Sequence, residues 1–109
     1  MAWLVCDGRV LCSLEVADGF AGRAKGLLFR DDFEGALLIK PTRSVHTFGM
    51  RMPIDVVVCD PSLVVVRTMT LVPRRVTRPR LRSGAYIEAE AGSVERWGLA
   101  VGDQLECRT

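Results

Sequence analysis

One histidine, two lysines and one tyrosine among 109 residues leave this chain short of the side chains that usually move protons or stack on sugars. The four cysteines, Cys6, Cys12, Cys59 and Cys107, contain no Cys-x-x-Cys pair. With so little histidine, a four-ligand zinc site has little support, and neither a metal nor a cofactor is expected. Long apolar runs are missing too. Ile54–Cys59 and Leu63–Val66 fall far below the roughly 20 residues a membrane-spanning helix requires, so no membrane insertion is expected. Met1–Cys6 offers neither a basic region nor an apolar run of signal-peptide length before Asp7. A cytoplasmic location, with four free thiols in a reducing compartment, is the expectation. Gly19, Gly22 and Gly26 lack the preceding strand that a dinucleotide fingerprint needs. No nucleophile elbow surrounds Ser44 or any cysteine. Trp3, Tyr86 and Trp97 are too dispersed for a sugar platform and suit core packing.

What remains is the composition of a globular unit, 49% apolar and 26% charged. Residues 1–109 read as a single domain, large enough to bury roughly two-thirds of its unfolded surface without staples. The net charge of +2 is unevenly spread. Between Arg67 and Arg82 stand six arginines and no acid, so this segment carries +6 and the rest of the chain −4.

The hydrophobic periodicity is mostly that of strands. Asp7-Gly8 supplies a two-residue turn between Trp3–Cys6 and Arg9–Cys12, which sets Cys6 opposite Arg9 and Cys12 opposite Trp3 and disfavours a local disulfide. Phe20, Ala24, Leu27 and Leu28 then recur at helical spacing behind Asp18, which predicts a helix over about 19–28. Ala36–Ile39 reads as a core strand closed by Pro41, and Val45–Met50 as a weaker one interrupted by Gly49. The β-branched arms Ile54–Cys59 and Leu63–Thr70, joined by Asp60-Pro61-Ser62, predict an antiparallel hairpin. Pro73 and Pro79 keep the arginine segment out of regular structure and place it on a surface loop. Ala85–Ala89 reads as a strand of alternating exposure. Ser93 is placed to cap a short helix over 93–98, with Gly98 stopping it after Trp97, and Gln104–Cys107 reads as the last strand. Together these predict a mainly β fold, a compact antiparallel sandwich or barrel-like domain with one or two short helices.

Four stretches stand in a familiar order: Arg23–Arg30, Met52-Pro53-Ile54-Asp55, Glu88–Ser93 and Gly98–Asp103. In sequence and spacing the chain resembles the domain of unknown function 192 family over nearly its whole length. The resemblance implies a compact β-rich prokaryotic domain, often joined to an export signal, and a family without an established activity. Many members carry an aromatic-Met-Lys-Asn-Thr stretch before a Pro-Leu-Asp motif, where this chain has His46–Arg51. Of the polar family residues there, Asp55 carries over.

Asp55 shares its strand face with Val57 and Cys59, where an unpartnered carboxylate is costly. Arg51, His46 or backbone N–H groups near Pro53 are the expected partners. His46 is the lone side chain whose ordinary pKa suits a proton shuttle near neutrality. The leading reading is therefore a non-catalytic module with a ligand or partner site around His46, Arg51 and Asp55, joined by Glu88; it takes a small ligand or a protein partner. The alternative is an enzyme with Asp55 and His46 as an acid/base pair on a small polar substrate. A third reading has Arg74, Arg75, Arg78, Arg80 and Arg82 holding an anionic polymer or nucleic acid. Against it, no aromatic interrupts Arg67–Arg82 to stack a base, so a solvated loop outweighs a nucleic-acid site.

Overall fold

Asp7 and Gly8 take φ values of 52° and 74°, the paired positive angles of a type I′ turn. They join β1 (Ala2–Cys6) to β2 (Arg9–Ala17). The computed structural model describes residues 2–17, 35–47 and 50–109. Cys6 pairs with Arg9 as the turn dictates, but a bulge then leaves Leu11 without an opposite number and sets Cys12 against Leu4. The predicted pairing of Cys12 with Trp3 is corrected by that one extra residue. All four thiols are free.

Among the described residues the remaining elements are β3 (Ala36–Thr42), β4 (Ile54–Cys59), β5 (Val65–Leu71), β6 (Gly84–Glu90), α1 (Ser93–Trp97) and β7 (Leu105–Arg108). The fold is mainly β, as predicted. It is one seven-stranded sheet in the order β5-β4-β6-β3-β2-β1-β7, curled into a half-barrel. The two edges meet at one end, where Val64 bridges Gln104. There the Val65 N–H donates to the Asp103 carbonyl at 2.9 Å, and the Leu105 N–H to the Leu63 carbonyl at 2.9 Å. Edge strands that would otherwise expose unpaired backbone are thereby partly stitched together.

Two expectations about strands change. The sheet is not wholly antiparallel, because β2 and β3 run parallel from Leu14↔Ala36 to Ala17↔Ile39. A parallel pair needs a long crossover, and the stretch from Asp18 to Gly35 is long enough to supply one. The helix predicted over 19–28 lies outside the described residues. Within the predicted strand Val45–Met50, the described residues 45–47 and 50 form no strand, and His46 makes an isolated bridge with Val76. The predicted hairpin of β4 and β5 is present and antiparallel. Its turn is held by Asp60 Oδ1, which accepts the Ser62 and Val64 N–H groups at 2.9 and 3.0 Å, the side-chain turn that aspartate favours.

Strand alternation divides the apolar residues between the faces. Leu4, Leu38, Val57, Val65, Ile87 and Leu105 join Trp97 and Leu99 in an interior cluster fed by the strands and by the end of α1. Leu37, Ile39, Ile54, Val56, Val58 and Tyr86 form a second cluster on the opposite face of the central strands. With clusters on both sides, β6 is buried through Ala89 and does not alternate in exposure as predicted. A strand covered on both faces reads as a continuous buried run whatever its direction.

Candidate functional site

Asp55 points into the interior with Val57, as its spacing predicts, and is 4% exposed. Its partners are not the expected ones. Oδ1 accepts the Thr70 hydroxyl at 2.7 Å, while Oδ2 accepts the Gly92 N–H at 3.1 Å and the Val94 N–H at 3.0 Å. The carboxylate thus caps α1 from a distant strand, serving N–H groups that a helix start leaves open. Ser93 does not cap its own helix as predicted. Its hydroxyl donates instead to the Glu90 carbonyl at 2.6 Å, and Gly92 occupies the cap position with φ of 97°. Gly98 stops α1 in the left-handed conformation, as predicted.

The other predicted site residues lie elsewhere. Glu88 is 2% exposed and shares the face of Tyr86, opposite to Asp55, with Leu37 and Val56 as its cross-strand neighbours. Burial pushes its carboxyl up to about 7. Arg51 is exposed beside Pro53, and His46 is half-buried on its bridge to Val76. Asp55 and Glu88 therefore cannot serve one pocket, since the sheet stands between them.

The face that holds Glu88 carries a groove. Across three strands in register, Arg67 of β5, Val58 of β4 and Tyr86 of β6 form one row. Met69, Val56 and Glu88 form the next. Above them lies a cavity of about 480 Å³ lined by Val58, Met69, Leu71 and Tyr86 below and by Val76, Thr77, Arg67, Arg78 and Arg80 around it. Among the described residues, the lining holds three guanidinium groups and no acid. Volume and composition fall in the range of small-molecule sites, apolar with a few charged anchors.

Two buried threonines hold the arginine segment over this floor. The Thr47 hydroxyl donates to the Val72 carbonyl at 2.8 Å and accepts the Arg75 N–H at 2.8 Å. The Thr47 N–H reaches the Arg75 carbonyl at 2.7 Å. Farther along, the Thr77 N–H donates to the Val45 carbonyl and the Val45 N–H to the Thr77 hydroxyl, each at 2.9 Å. The Tyr86 hydroxyl donates to the Arg43 carbonyl at 2.7 Å. Burial raises the Tyr86 pKa, opposed by the Arg80 charge and by Thr77. The segment is a loop, as Pro73 and Pro79 predict, but a pinned one.

Thr47, Thr77 and Tyr86 were not legible as site residues, because a threonine in a polar stretch gives no local sign of the chain it will clamp. A smaller cleft of about 260 Å³ lies beside α1, against Cys12, Glu90 and Trp97. Desolvation pushes the Cys12 thiol up to about 11 and Cys59 up to about 12, so neither is a thiolate nucleophile near neutrality. Among the described residues, no group of three histidine, cysteine or acidic side chains is placed to hold a metal ion. No helix among them is long and apolar enough to cross a membrane.

Comparison with known proteins agrees with this architecture. A UPF0127 protein of Pyrococcus horikoshii is 35% identical over 85% of this chain and 85% of its own. One from Pyrococcus abyssi is 34% identical over 92% and 86%. The crystal structure of a protein of unknown function from Novosphingobium aromaticivorans matches with a TM-score of 0.80 at 21% identity, covering 96% of this chain and 82% of that one. At that identity the likeness speaks for the fold alone. The model of the family described as Uncharacterized ACR, COG1430 matches residues 3–107, so the chain belongs to the DUF192 family, as its motifs predict.

Proposed function

We propose that this protein is a single-domain, non-catalytic binding module whose site is the groove between the central strands and the arginine segment. Its ligand is a small anion with an apolar body. The carrying observation is the pairing of a floor made by Val58, Met69, Leu71 and Tyr86 with Arg67, Arg78 and Arg80 around a cavity of about 480 Å³. Guanidinium groups recognise carboxylate and phosphate by paired hydrogen bonds, and the apolar floor desolvates the remainder of the ligand.

This reading moves the site away from His46, Arg51 and Asp55. Both oxygens of Asp55 already accept hydrogen bonds from Thr70, Gly92 and Val94, which favours a structural task over acid/base work with His46. Glu88 stays in the proposal as the buried carboxyl on the groove's own face. Arg74, Arg75 and Arg82 add to the positive field around the groove without lining it. A cytoplasmic setting belongs to the same proposal, supported by the four free thiols.

The test is thermal unfolding against matched pairs of ligands, such as alkyl or aryl carboxylates and phosphates beside the corresponding neutral alcohols. A ligand that prefers the folded state raises the melting temperature. The anionic member of each pair is expected to do so, and the triple substitution R67Q/R78Q/R80Q to abolish the rise. Equal effects of the alcohols, or an unchanged response in the triple variant, would overturn the assignment.

A further inference from the structure

The arginine segment has a feature that the groove does not use. Leu81 is 97% exposed, and Val72 in the same segment is also exposed. An exposed leucine is ordinary by itself. This one stands between Arg80 and Arg82, both exposed, two residues after Pro79. The segment that presents it is pinned by backbone bonds: the Arg80 N–H donates to the Arg43 carbonyl at 3.0 Å, and the Thr77 N–H to the Val45 carbonyl at 2.9 Å. Leu81 is thus displayed by an anchored loop.

Beside it lies a second cavity of about 480 Å³, lined by Arg67, Arg78, Pro79, Arg80, Leu81 and Arg82. Among the described residues, four guanidinium groups and one leucine surround it, with no acid. Phosphate satisfies the guanidinium groups but gives the leucine no apolar contact. A surface that offers phosphates and hydrocarbon within a few ångströms of each other satisfies both, and an acidic phospholipid membrane is such a surface.

We propose that the Arg78–Arg82 loop docks this protein onto anionic phospholipid surfaces, with Leu81 entering the boundary between headgroups and acyl chains while Arg78, Arg80 and Arg82 engage phosphates. The contact is peripheral and spans nothing. Nucleic acid matches the charge but leaves Leu81 unused, and the segment provides no aromatic side chain for base stacking. The docking goes beyond the groove reading: Arg78 and Arg80 line both cavities, but Leu81 and Arg82 line only this one and not the groove.

The test partitions the full chain onto phosphatidylcholine vesicles with and without phosphatidylglycerol, at low and high salt, beside retention on heparin. Both substitutions fall at exposed positions, so the variants are expected to fold; the unfolding transition of each confirms it. The wild-type chain is expected to bind the acidic vesicles alone and to release with salt. Leu81→Ser is expected to lower vesicle partitioning about tenfold while leaving heparin retention unchanged. Arg82→Gln is expected to weaken vesicle binding roughly fivefold. Equal partitioning of Leu81→Ser and wild type, or heparin retention without vesicle binding, would overturn the proposal; the latter would make the loop a polyanion site. Absence of any anionic-ligand response in the wild-type chain, with its vesicle binding and the Leu81→Ser loss both seen, would overturn the groove reading and leave the docking standing.

Discussion

Asp55 and Val94 are 39 residues apart in the chain and joined by a 3.0 Å hydrogen bond from the Val94 N–H to Oδ2. Because the same oxygen also accepts the Gly92 N–H, one carboxylate ties β4 to the start of α1. A five-residue helix cannot sustain itself in water and depends on such tertiary support.

Asp55→Ala is therefore expected to cost about 3 kcal/mol or more, since it strands two backbone donors and the Thr70 hydroxyl. Urea unfolding of the variant beside wild type measures the loss. A difference within about 0.5 kcal/mol, the scatter of ordinary surface changes, would contradict the capping role.

Glu88 predicts a pH dependence of stability. Burial raises its carboxyl from 4.5 to about 7, so the folded state holds this proton more tightly than the unfolded chain does. Stability contributed by the neutral form is full below pH 4.5 and falls as pH rises towards about 7, by about 3 kcal/mol in all. Glu88→Gln should flatten the profile across that window and make the variant the more stable protein at pH 8. Parallel urea-midpoint profiles for the two chains would show that Glu88 does not titrate in this way.

Gly84 predicts a steric limit. A Cβ there would collide with the Cys59 carbonyl across the β4–β6 pair, and the backbone must move to admit it. Gly84→Ala is expected to cost roughly 1–3 kcal/mol, read as a lowered melting temperature. An unchanged transition would show that this end of the β4–β6 pair yields freely.

Thr47 predicts coupling between stability and the groove. It is fully buried, and its hydroxyl serves both Val72 and Arg75. Thr47→Val keeps the shape and removes those bonds, at a cost of about 2 kcal/mol. The variant should also lose the thermal response to anionic ligands, because the arginines above the floor are no longer held. Retention of that response in a destabilised variant would separate the clamp from the site.

The cysteines predict chemical silence. With Cys12 pushed up to about 11 and Cys59 up to about 12, alkylation of either at neutral pH should be slow in the native protein and fast in urea, as followed by peptide mass. Rapid native labelling of Cys59, which is also buried, would signal opening of the sheet.

Strands and turns were legible because they depend on neighbours in sequence. Asp7-Gly8 fixes its own positive φ, Asp60 closes its own turn, and Pro73 and Pro79 keep their segment irregular by themselves. The inward direction of Asp55 was legible for the same reason, through strand alternation with Val57. What the alternation could not say is which distant group completes the carboxylate, and Gly92 and Val94 proved to be the partners. The parallel pairing of β2 with β3 was hidden likewise, since strand direction is settled by the crossover that returns the chain.

By itself the sequence determined the mainly β character, the free thiols and the concentration of positive charge on one irregular segment; each follows from composition or from contacts a few residues apart. Tertiary structure alone decided that Asp55 and Glu88 stand on opposite faces of the sheet. It alone set Arg67, Val58 and Tyr86 in one row beneath Arg78 and Arg80. Those relations hang on register between strands remote in the chain, where a shift of one residue turns every side chain to the other face.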